Sequence, residues 1–360
     1  MLCSMYIRRT VAGLLVAAMM FGFTTTVSSA SIGSGTWTTL SPMNTARLAP
    51  FVTAIGGKLY VAGGTDGGAL GTLERYDPLT DSWTTLSSMP TARYQGGVAA
   101  VGDKIYVLGG WNAPAGFIPT TTVQIYDTVT DSWSFGPSMP ILSSSGPTGV
   151  INGKIYKHTA EHGFASPSQQ LHVFDPVAGT WTALANLPAD HGGGAAGVVN
   201  DKLYVASGWR WQGGTTVADA QVHAYDPLTN SWSTLTTGPT ARAGVAGAVL
   251  DDHLFVAGGG NSTNPVLDVF EAYDVANDLW IALPSMPTAI TGAGGAVIGD
   301  TFYVVGGNDI NGTTNTLQAY TVPEPSTFAM AGVGLAAFLL HARRRRKVWR
   351  SGATSCMKST

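Results

Sequence analysis

Residues 58–83 read KLYVAGGTDGGALGTLERYDPLTDSW, and this pattern decides the fold. One alternating run ends in the doublet Gly63-Gly64, and a second ends at Tyr76, followed by the turn sequence 77–82 and Trp83. Alternation of apolar and polar residues is typical of half-buried strands, and Pro and Asp between two such runs favour a hairpin turn. The stretch therefore predicts short antiparallel strands joined by tight turns.

The same pattern recurs through the middle of the chain. Tryptophans follow one another at steps of 46, 50, 48, 51 and 48 residues, namely Trp37, Trp83, Trp133, Trp181, Trp232 and Trp280. An aromatic residue stands seven positions before each of the last five, namely Tyr76, Tyr126, Phe174, Tyr225 and Tyr273. A small-residue pair ends the second strand of five units, and Thr159-Ala160 stands in its place in the third. A repeat of this length predicts one unit of four short strands per period, here called a to d.

Period, doublet and aromatic spacing together resemble the kelch repeat of β-propellers over about residues 36–322. The resemblance implies an all-β fold in which six blades form one domain, residues 31–322. Position 327 of the last unit is not a tryptophan, and Trp37 has no strands before it. We therefore expect Thr36 to Leu40 to supply strand d of the last blade, because closing the ring in this way removes an open sheet edge.

The N-terminal segment has the features of a Sec signal peptide. Arg8 and Arg9 precede an apolar run from Val11 to Phe23, and residues 28–30 are small. A positive flank, a short apolar core and small residues at the cleavage point predict a signal peptide over residues 1–30. The alternative is a retained membrane anchor, for which the run is short of the roughly 20 residues of a span.

The C-terminal segment has three parts in a fixed order. Residues 322–326 contain Pro-Glu-Pro, residues 327–340 are apolar, and Arg343 to Lys347 are basic. Over residues 323–347 this resembles the PEP-CTERM sorting signal of Gram-negative bacteria, whose apolar part is a short transmembrane helix. The resemblance implies cleavage by an exosortase and delivery to the cell surface or extracellular matrix. The positive-inside rule places the basic cluster and the tail 348–360 in the cytoplasm, so the propeller is expected on the outer side of the inner membrane before cleavage. The alternative is an ordinary C-terminal membrane anchor.

Composition excludes several classes of protein. Charged residues make up only 11% of the chain, which excludes a charge-rich disordered chain. Residues 31–324 contain ten basic and all 22 acidic residues, a net charge of −12 with no basic stripe, so nucleic acid is not an expected partner. Both cysteines, Cys3 and Cys356, lie in the end segments, so the body forms no internal disulfide.

One face of the propeller is expected to bind the ligand. Strands a and c run opposite to b and d, so the d–a and b–c connections meet on one face, where the sequence varies as in binding loops. The residue expected to begin each innermost strand there is Arg47, Arg93, Ser143, His191, Arg242 or Ile290. The residues after the doublets add Trp111, Asn112, Trp209, Arg210, Trp211 and Asn308. Guanidinium groups bind carboxylates in bidentate fashion, and indole faces stack on sugar rings.

The residues favour a non-enzymatic binding or structural protein of the cell surface or matrix. Its expected ligand is an acidic polysaccharide or a protein at the channel mouth. A structural alternative for Arg47 and Arg93 comes from the kelch resemblance, since arginines at this position often bond backbone carbonyls. No nucleophile motif, nucleotide fingerprint or convincing metal spacing occurs, so neither cofactor nor metal is expected. The alternative function is a carbohydrate epimerase or mutarotase resembling the sialic-acid mutarotases, with Glu161 and Arg93 in proton transfer.

Overall fold

The computed structural model describes residues 32–112, 118–159, 169–189, 191–212 and 215–323. Within these residues, six four-stranded antiparallel sheets form the blades of a propeller. The innermost strands of neighbouring blades contact each other around the ring, and the first blade contacts the last. The predicted signal peptide, the C-terminal apolar run and the basic cluster lie outside the described residues. The described part of the chain contains no helix long and apolar enough to span a membrane.

The strands are numbered in chain order. Blade 1 consists of β2 (Phe51–Ile55), β3 (Lys58–Ala62), β4 (Leu73–Asp77) and β5 (Ser82–Leu86). Blade 2 consists of β6 (Gly97–Val101), β7 (Lys104–Leu108), β10 (Val123–Asp127) and β11 (Ser132–Gly136), with the extra hairpin β8 (Trp111–Asn112) and β9 (Ile118–Pro119). Blade 3 consists of β12 (Thr148–Ile151), β13 (Lys154–His158), β14 (Leu171–Asp175) and β15 (Thr180–Ala183).

The second half of the ring follows the same order. Blade 4 consists of β16 (Ala195–Val199), β17 (Lys202–Gln212), β18 (Thr215–Asp226) and β19 (Ser231–Leu235). Blade 5 consists of β20 (Ala246–Leu250), β21 (His253–Ala257), β22 (Phe270–Asp274) and β23 (Leu279–Ala282). Blade 6 consists of β24 (Gly294–Ile298), β25 (Thr301–Val305), β28 (Leu317–Thr321) and β1 (Thr36–Leu40), with the extra hairpin β26 (Asn308–Asp309) and β27 (Gly312–Thr313).

The predicted closure by the N-terminal strand is confirmed. Strand β1 pairs with β28, and Trp37 lies opposite Tyr320. The indole ring also packs against Phe270 of blade 5 at a centroid distance of 4.9 Å. Its Nε1 donates a 2.8 Å hydrogen bond to the carbonyl of Pro284. The strand therefore ties blade 6 to blade 5 as well as completing its own sheet.

The hydrophobic core lies between neighbouring blades rather than inside one of them. Because side chains alternate between the two faces of a strand, each blade presents one apolar face to the blade before it and one to the blade after it. At the boundary of blades 1 and 2, for example, Phe51 and Leu73 pack with Val107 and Tyr126, and all four are buried. The blade tryptophans cover these clusters from outside, as Trp133 does here.

The structure corrects the expected start of the innermost strands. Strand β2 begins at Phe51, four residues after Arg47, and β6 begins at Gly97, four residues after Arg93. These arginines therefore belong to the d–a connections. They lie on the predicted face of the propeller, but in the layer just outside the channel.

Candidate binding site at the channel mouth

A channel runs through the centre of the ring and opens on the face that carries the d–a and b–c connections. The channel is lined by the six innermost strands and has a volume of about 460 Å³. Its mouth forms a second cavity of about 230 Å³, whose lining includes Tyr94, Gln95, Ser145, Gly146 and Gly193. Small residues and backbone dominate the lining, so larger groups that contact a ligand must come from the surrounding loops.

Backbone hydrogen bonds join the blades around this mouth. The amide of Gln95 donates to the carbonyl of Ala49 at 3.0 Å, and the amide of Ala49 donates to Gly292 at 2.8 Å. The run continues from Gly292 to Gly244 at 2.7 Å and from Gly244 to Gly193 at 2.8 Å. All five residues have positive φ, between 50° and 66°, which aligns each amide with the next blade. The run passes through blades 2, 1, 6, 5 and 4 and does not include blade 3.

In blade 3 a lysine bonds the backbone near the mouth instead. The ammonium of Lys157 donates to the carbonyls of Ser145, Gly146 and His158 at 2.7, 2.8 and 2.8 Å. The side chain is fully buried, and burial lowers the pKa of Lys157 to about 7. Only the ammonium form has three protons for three carbonyls, so these bonds favour the charged state. Blade 3 is thus built differently from the other blades at the mouth.

Two hairpins that carry tryptophans stand on either side of blade 3. In blade 2, Trp111 exchanges backbone hydrogen bonds with Tyr94 at 2.8 and 3.3 Å. In blade 4, Trp209 exchanges them with Gly192 at 2.7 and 3.0 Å. Each tryptophan is therefore fixed to a d–a segment beside the mouth. Trp111 and Trp209 are half-buried.

The hairpin of blade 4 is longer than that of any other described b–c connection. Strands β17 and β18 continue their pairing from Gly208 opposite Asp219 to Gln212 opposite Thr215. A bulge at Ser207, with φ of 61°, redirects the chain where blades 1, 2, 5 and 6 have a glycine doublet. As a result Trp211 is carried beyond the blade and is 39% exposed.

Two of the predicted binding arginines are enclosed in ion pairs. Arg47 and Arg242 are fully buried and pair with Glu74 and Glu271 on strand c of their own blades. Burial lowers the pKa of both guanidinium groups, and the neighbouring glutamates oppose that effect. The expectation that these side chains rim the mouth as exposed groups is corrected here.

The cause of this burial is the break in the strand ladder at each doublet. Gly63 has φ of 59°, which turns its carbonyl away from the regular b–c pairing. Arg47 Nη1 donates to the carbonyls of Gly63 and Thr72 at 2.9 and 3.1 Å. Arg93 does the same in blade 2, with bonds of 3.1 and 3.0 Å to Gly109 and Thr122. Each arginine therefore bonds the glycine carbonyl that the doublet turns out of the ladder, together with a threonine carbonyl that also accepts from the amide of the same glycine.

His191 occupies the arginine position of blade 4 and is also buried. Its Nδ1 donates to the carbonyl of Ser207 at 2.8 Å. Its ring stands edge to face on His223, with centroids 5.0 Å apart. Burial lowers the pKa of His223 to about 4 and the pKa of His158 well below its usual value. The positive charge of Lys157 adds to the effect on His158, and the electrostatic influence of His191 adds to both. At neutral pH, His158 and His223 are therefore uncharged.

The remaining predicted residues lie in several places. Asn112 follows Trp111 in β8, and Arg210 pairs with Asp219 at 3.6 Å on the blade 4 hairpin. Asn308 is on the same face but in blade 6, opposite blade 3 across the ring. Glu161 lies outside the described residues. The structure thus places Trp111, Asn112, Trp209, Arg210 and Trp211 on the hairpins that flank blade 3.

Sequence reasoning missed Lys157, although its signal is present in the repeat. The other five blades have valine at this position of strand b, namely Val61, Val107, Val205, Val256 and Val304. A lysine in a position reserved for a buried aliphatic side chain predicts a special role for that blade. Within the described parts of the chain, no three His, Cys, Asp or Glu side chains group as a metal site requires.

Comparison with known proteins agrees with this architecture. The family model described as the attractin/LZTR1 β-propeller matches residues 22–270, and the PEP-CTERM protein-sorting motif matches residues 321–346. No curated protein matches the chain. The solved structure of YjhT superposes with a TM-score of 0.69 at 17% sequence identity, covering 80% of this chain and 98% of that chain. At this identity the likeness shows the fold alone.

The two family-model matches decide the family. The chain belongs to the attractin/LZTR1 β-propeller family, in the kelch-type form that the repeat indicates, and carries a PEP-CTERM sorting motif.

Proposed function

We propose that this protein is displayed at the cell surface or in the extracellular matrix and binds a glycan on the blade 2–4 side of its channel mouth. The observation that carries the proposal is the fixing of Trp111 and Trp209 beside the mouth, one on each side of blade 3. Indole faces are suited to the apolar faces of sugar rings. Gln95 and Ser145 add polar groups at the floor between them.

The distribution of charge favours an acidic glycan. On this face the b–c connections of blades 1, 5 and 6 carry Asp66, Asp268 and Asp309. Blades 2 and 3 contain the buried cations Arg93 and Lys157, and the carboxylate of the blade 4 hairpin, Asp219, is paired with Arg210. An anion is repelled by the acidic body and is expected to concentrate where the cations lie. We expect binding of roughly micromolar to millimolar affinity that weakens with salt.

A glycan array tests the proposal. The parent protein is expected to retain uronic-acid polysaccharides, and Trp111→Ala and Trp209→Ala are expected to lose at least tenfold in affinity. Leu79→Ala is the control, because Leu79 is 90% exposed on a c–d turn of the opposite face. If acidic glycans bind Trp209→Ala as well as the parent, this mouth is not the site. If no glycan on the array binds, and a surface protein binds the parent but not the tryptophan variants, the ligand is a protein.

The sorting motif supports the route to the surface. We expect export through Sec, transient anchoring in the inner membrane and cleavage by an exosortase near the Pro-Glu-Pro sequence of residues 323–325. Mass spectrometry of the released protein is then expected to find its C-terminus at these residues. Released protein that retains Arg343 to Lys347 would contradict this route.

The alternative function, an epimerase or mutarotase, depends on Glu161 and Arg93. Arg93 is enclosed in blade 2, where its guanidinium bonds backbone carbonyls. NMR of acidic sugars incubated with the protein separates the two functions. Catalysed anomerisation that Glu161→Gln abolishes would replace binding with catalysis as the function.

A further inference from the structure

Two buried cations near the mouth have no carboxylate partner among the described residues. Arg47 and Arg242 each pair with a glutamate at the second position of strand c. In blade 2 that position is Gln124, whose amide bonds the backbone of Thr91, so Arg93 bonds only carbonyl oxygens. Lys157 likewise bonds three carbonyls.

The chain makes room for Lys157 at a cost in packing. Its aliphatic stem lies against Gly97 of blade 2, where an added Cβ would be 2.8 Å from Lys157 Cε. A Cβ on Gly146 would be 3.1 Å from Lys157 Nζ. The ammonium thus sits directly behind the backbone of these glycines, at the gap that the run of mouth hydrogen bonds leaves at blade 3. Burying an uncompensated charge is unfavourable, and a nearby anion relieves that cost.

The backbone that covers this ammonium lines the mouth cavity. Ser145 and Gly146, whose carbonyls accept from Lys157, line the mouth cavity. The Ser145 hydroxyl is buried and lacks a hydrogen-bond partner among the described residues. If this hydroxyl rotates toward the cavity, it offers a donor to an anion there, with the field of Lys157 and Arg93 behind it.

We propose that the mouth contains an anion subsite in front of Ser145 and Gly146, which takes a carboxylate or another oxyanion of the ligand. That the natural occupant is a glycan carboxylate rests on the proposed function. The existence of the subsite can be tested separately with small anions. Among the described residues, the carboxylates of the b–c connections lie in blades 1, 5 and 6, apart from Asp219 of blade 4, which is paired with Arg210. The subsite therefore lies beside blades whose described b–c carboxylate already has a cationic partner.

Melting of the full chain is measured against sodium glucuronate, inorganic sulfate and glucose at constant ionic strength, since a ligand that binds the folded state raises the melting temperature with concentration. Both anions are expected to give saturable shifts and glucose none. Lys157→Val introduces the valine that the other five blades have at this position. It is expected to lower the affinity for both anions at least tenfold. Lys104→Met is the matched control, because it removes a lysine paired with Asp127 on the opposite face and is expected to stay within twofold of the parent.

Equal anion affinity in the parent and in Lys157→Val would overturn the subsite, as would a parent that binds neither anion. If Lys157→Val does not fold, Gln124→Glu carries the test, since it gives Arg93 the counter-ion found in blades 1 and 5. That variant is expected to bind both anions at least threefold more weakly, and unchanged affinity overturns the proposal. Lysine-dependent sulfate binding together with an empty glycan array would uphold the subsite and reject the glycan function.

Discussion

In blade 2 the hydroxyl of Tyr126 donates a 2.7 Å hydrogen bond to Oδ1 of Asp131. The same carboxylate accepts a 3.0 Å bond from the amide of Ser87 in the linker that follows blade 1. The bond from Tyr126 is the main cause that lowers the pKa of Asp131. One carboxylate thus joins a strand of its own blade to the preceding blade, and Tyr76 with Asp81 repeats the arrangement at Ser41.

This clamp is absent from blade 3 in all three of its parts. Phe174 has no hydroxyl, Gly179 has no carboxylate, and Pro137 at the position of Ser87 has no amide proton. Each of these three residues therefore lacks one of the hydrogen-bonding groups that the clamp needs. Without this clamp, blade 3 relies on its core contacts and on Trp181, whose Nε1 still donates to the Pro137 carbonyl at 3.1 Å.

A double-mutant cycle tests the clamp. Tyr126→Phe and Asp131→Gly each remove one side of the bond, and Asp131→Gly copies Gly179, which has the same left-handed backbone. Their coupling in the free energy of unfolding is expected to be about 1 kcal/mol, as for one side-chain hydrogen bond. Urea denaturation measures it. Gly179→Asp is the control and is expected not to stabilise, because blade 3 offers it neither hydroxyl nor amide. Additive effects of Tyr126→Phe and Asp131→Gly would show that the bond contributes nothing.

The two ion-paired arginines, Arg47 and Arg242, are expected to govern stability rather than binding. Arg242→Ala leaves Glu271 buried without its partner and is expected to cost about 3–5 kcal/mol in the free energy of unfolding. The double variant Arg242→Ile, Glu271→Gln copies Ile290 and Gln318 of blade 6 and is expected to recover most of that loss. Chemical denaturation and glycan titration of both variants check this. A loss of glycan affinity in the folded double variant would show that Arg242 contributes to glycan binding after all.

The histidines between blades 3 and 4 predict loss of stability in acid. Burial lowers the pKa of His223 to about 4 and that of His158 well below its usual value, whereas an unfolded histidine titrates near 6.5. Between pH 6.5 and 4 the unfolded state therefore binds protons that the folded state does not, and stability falls as the pH falls. The titratable neighbours that act on these rings are Lys157 and His191 for His158, and His191 and Asp219 for His223.

Urea unfolding at pH 7.0 and 4.5 measures this effect. His223 alone is expected to contribute about 2 kcal/mol to the difference. His223→Gln copies the residue found at this position in blades 2 and 6 and is expected to reduce the difference by that amount. An equal pH dependence in the parent and in His223→Gln would contradict the assignment.

The fold could be predicted because its signals are local and repeated. The hairpin turns, the glycine doublets and the spacing of Tyr76 and Trp83 recur in nearly every unit, so each unit supports the others. Closure by Thr36–Leu40 followed from an unpaired Trp37 and a missing tryptophan in the last unit. Both arguments need only the sequence order of residues.

The candidate site could be predicted only in part. The tryptophans departed from the repeat, and the structure places Trp111 and Trp209 at the mouth. For Arg47 and Arg93 the carbonyl bonds agree with the structural alternative that the kelch resemblance implies. The sequence did not decide between that alternative and binding, because the burial of Arg47 depends on Glu74, 27 residues away, and on carbonyls that the doublet turns inward. Composition and spacing do not show in which direction such a side chain points.

The crystal structure of the propeller soaked with a uronic-acid oligosaccharide tests the central claim most directly. We predict density for the oligosaccharide at the mouth, with one of its rings on Trp111 or Trp209 and a carboxylate in front of Ser145 and Gly146. Density on the opposite face, or at the mouth with no contact to either tryptophan, would contradict the proposed site.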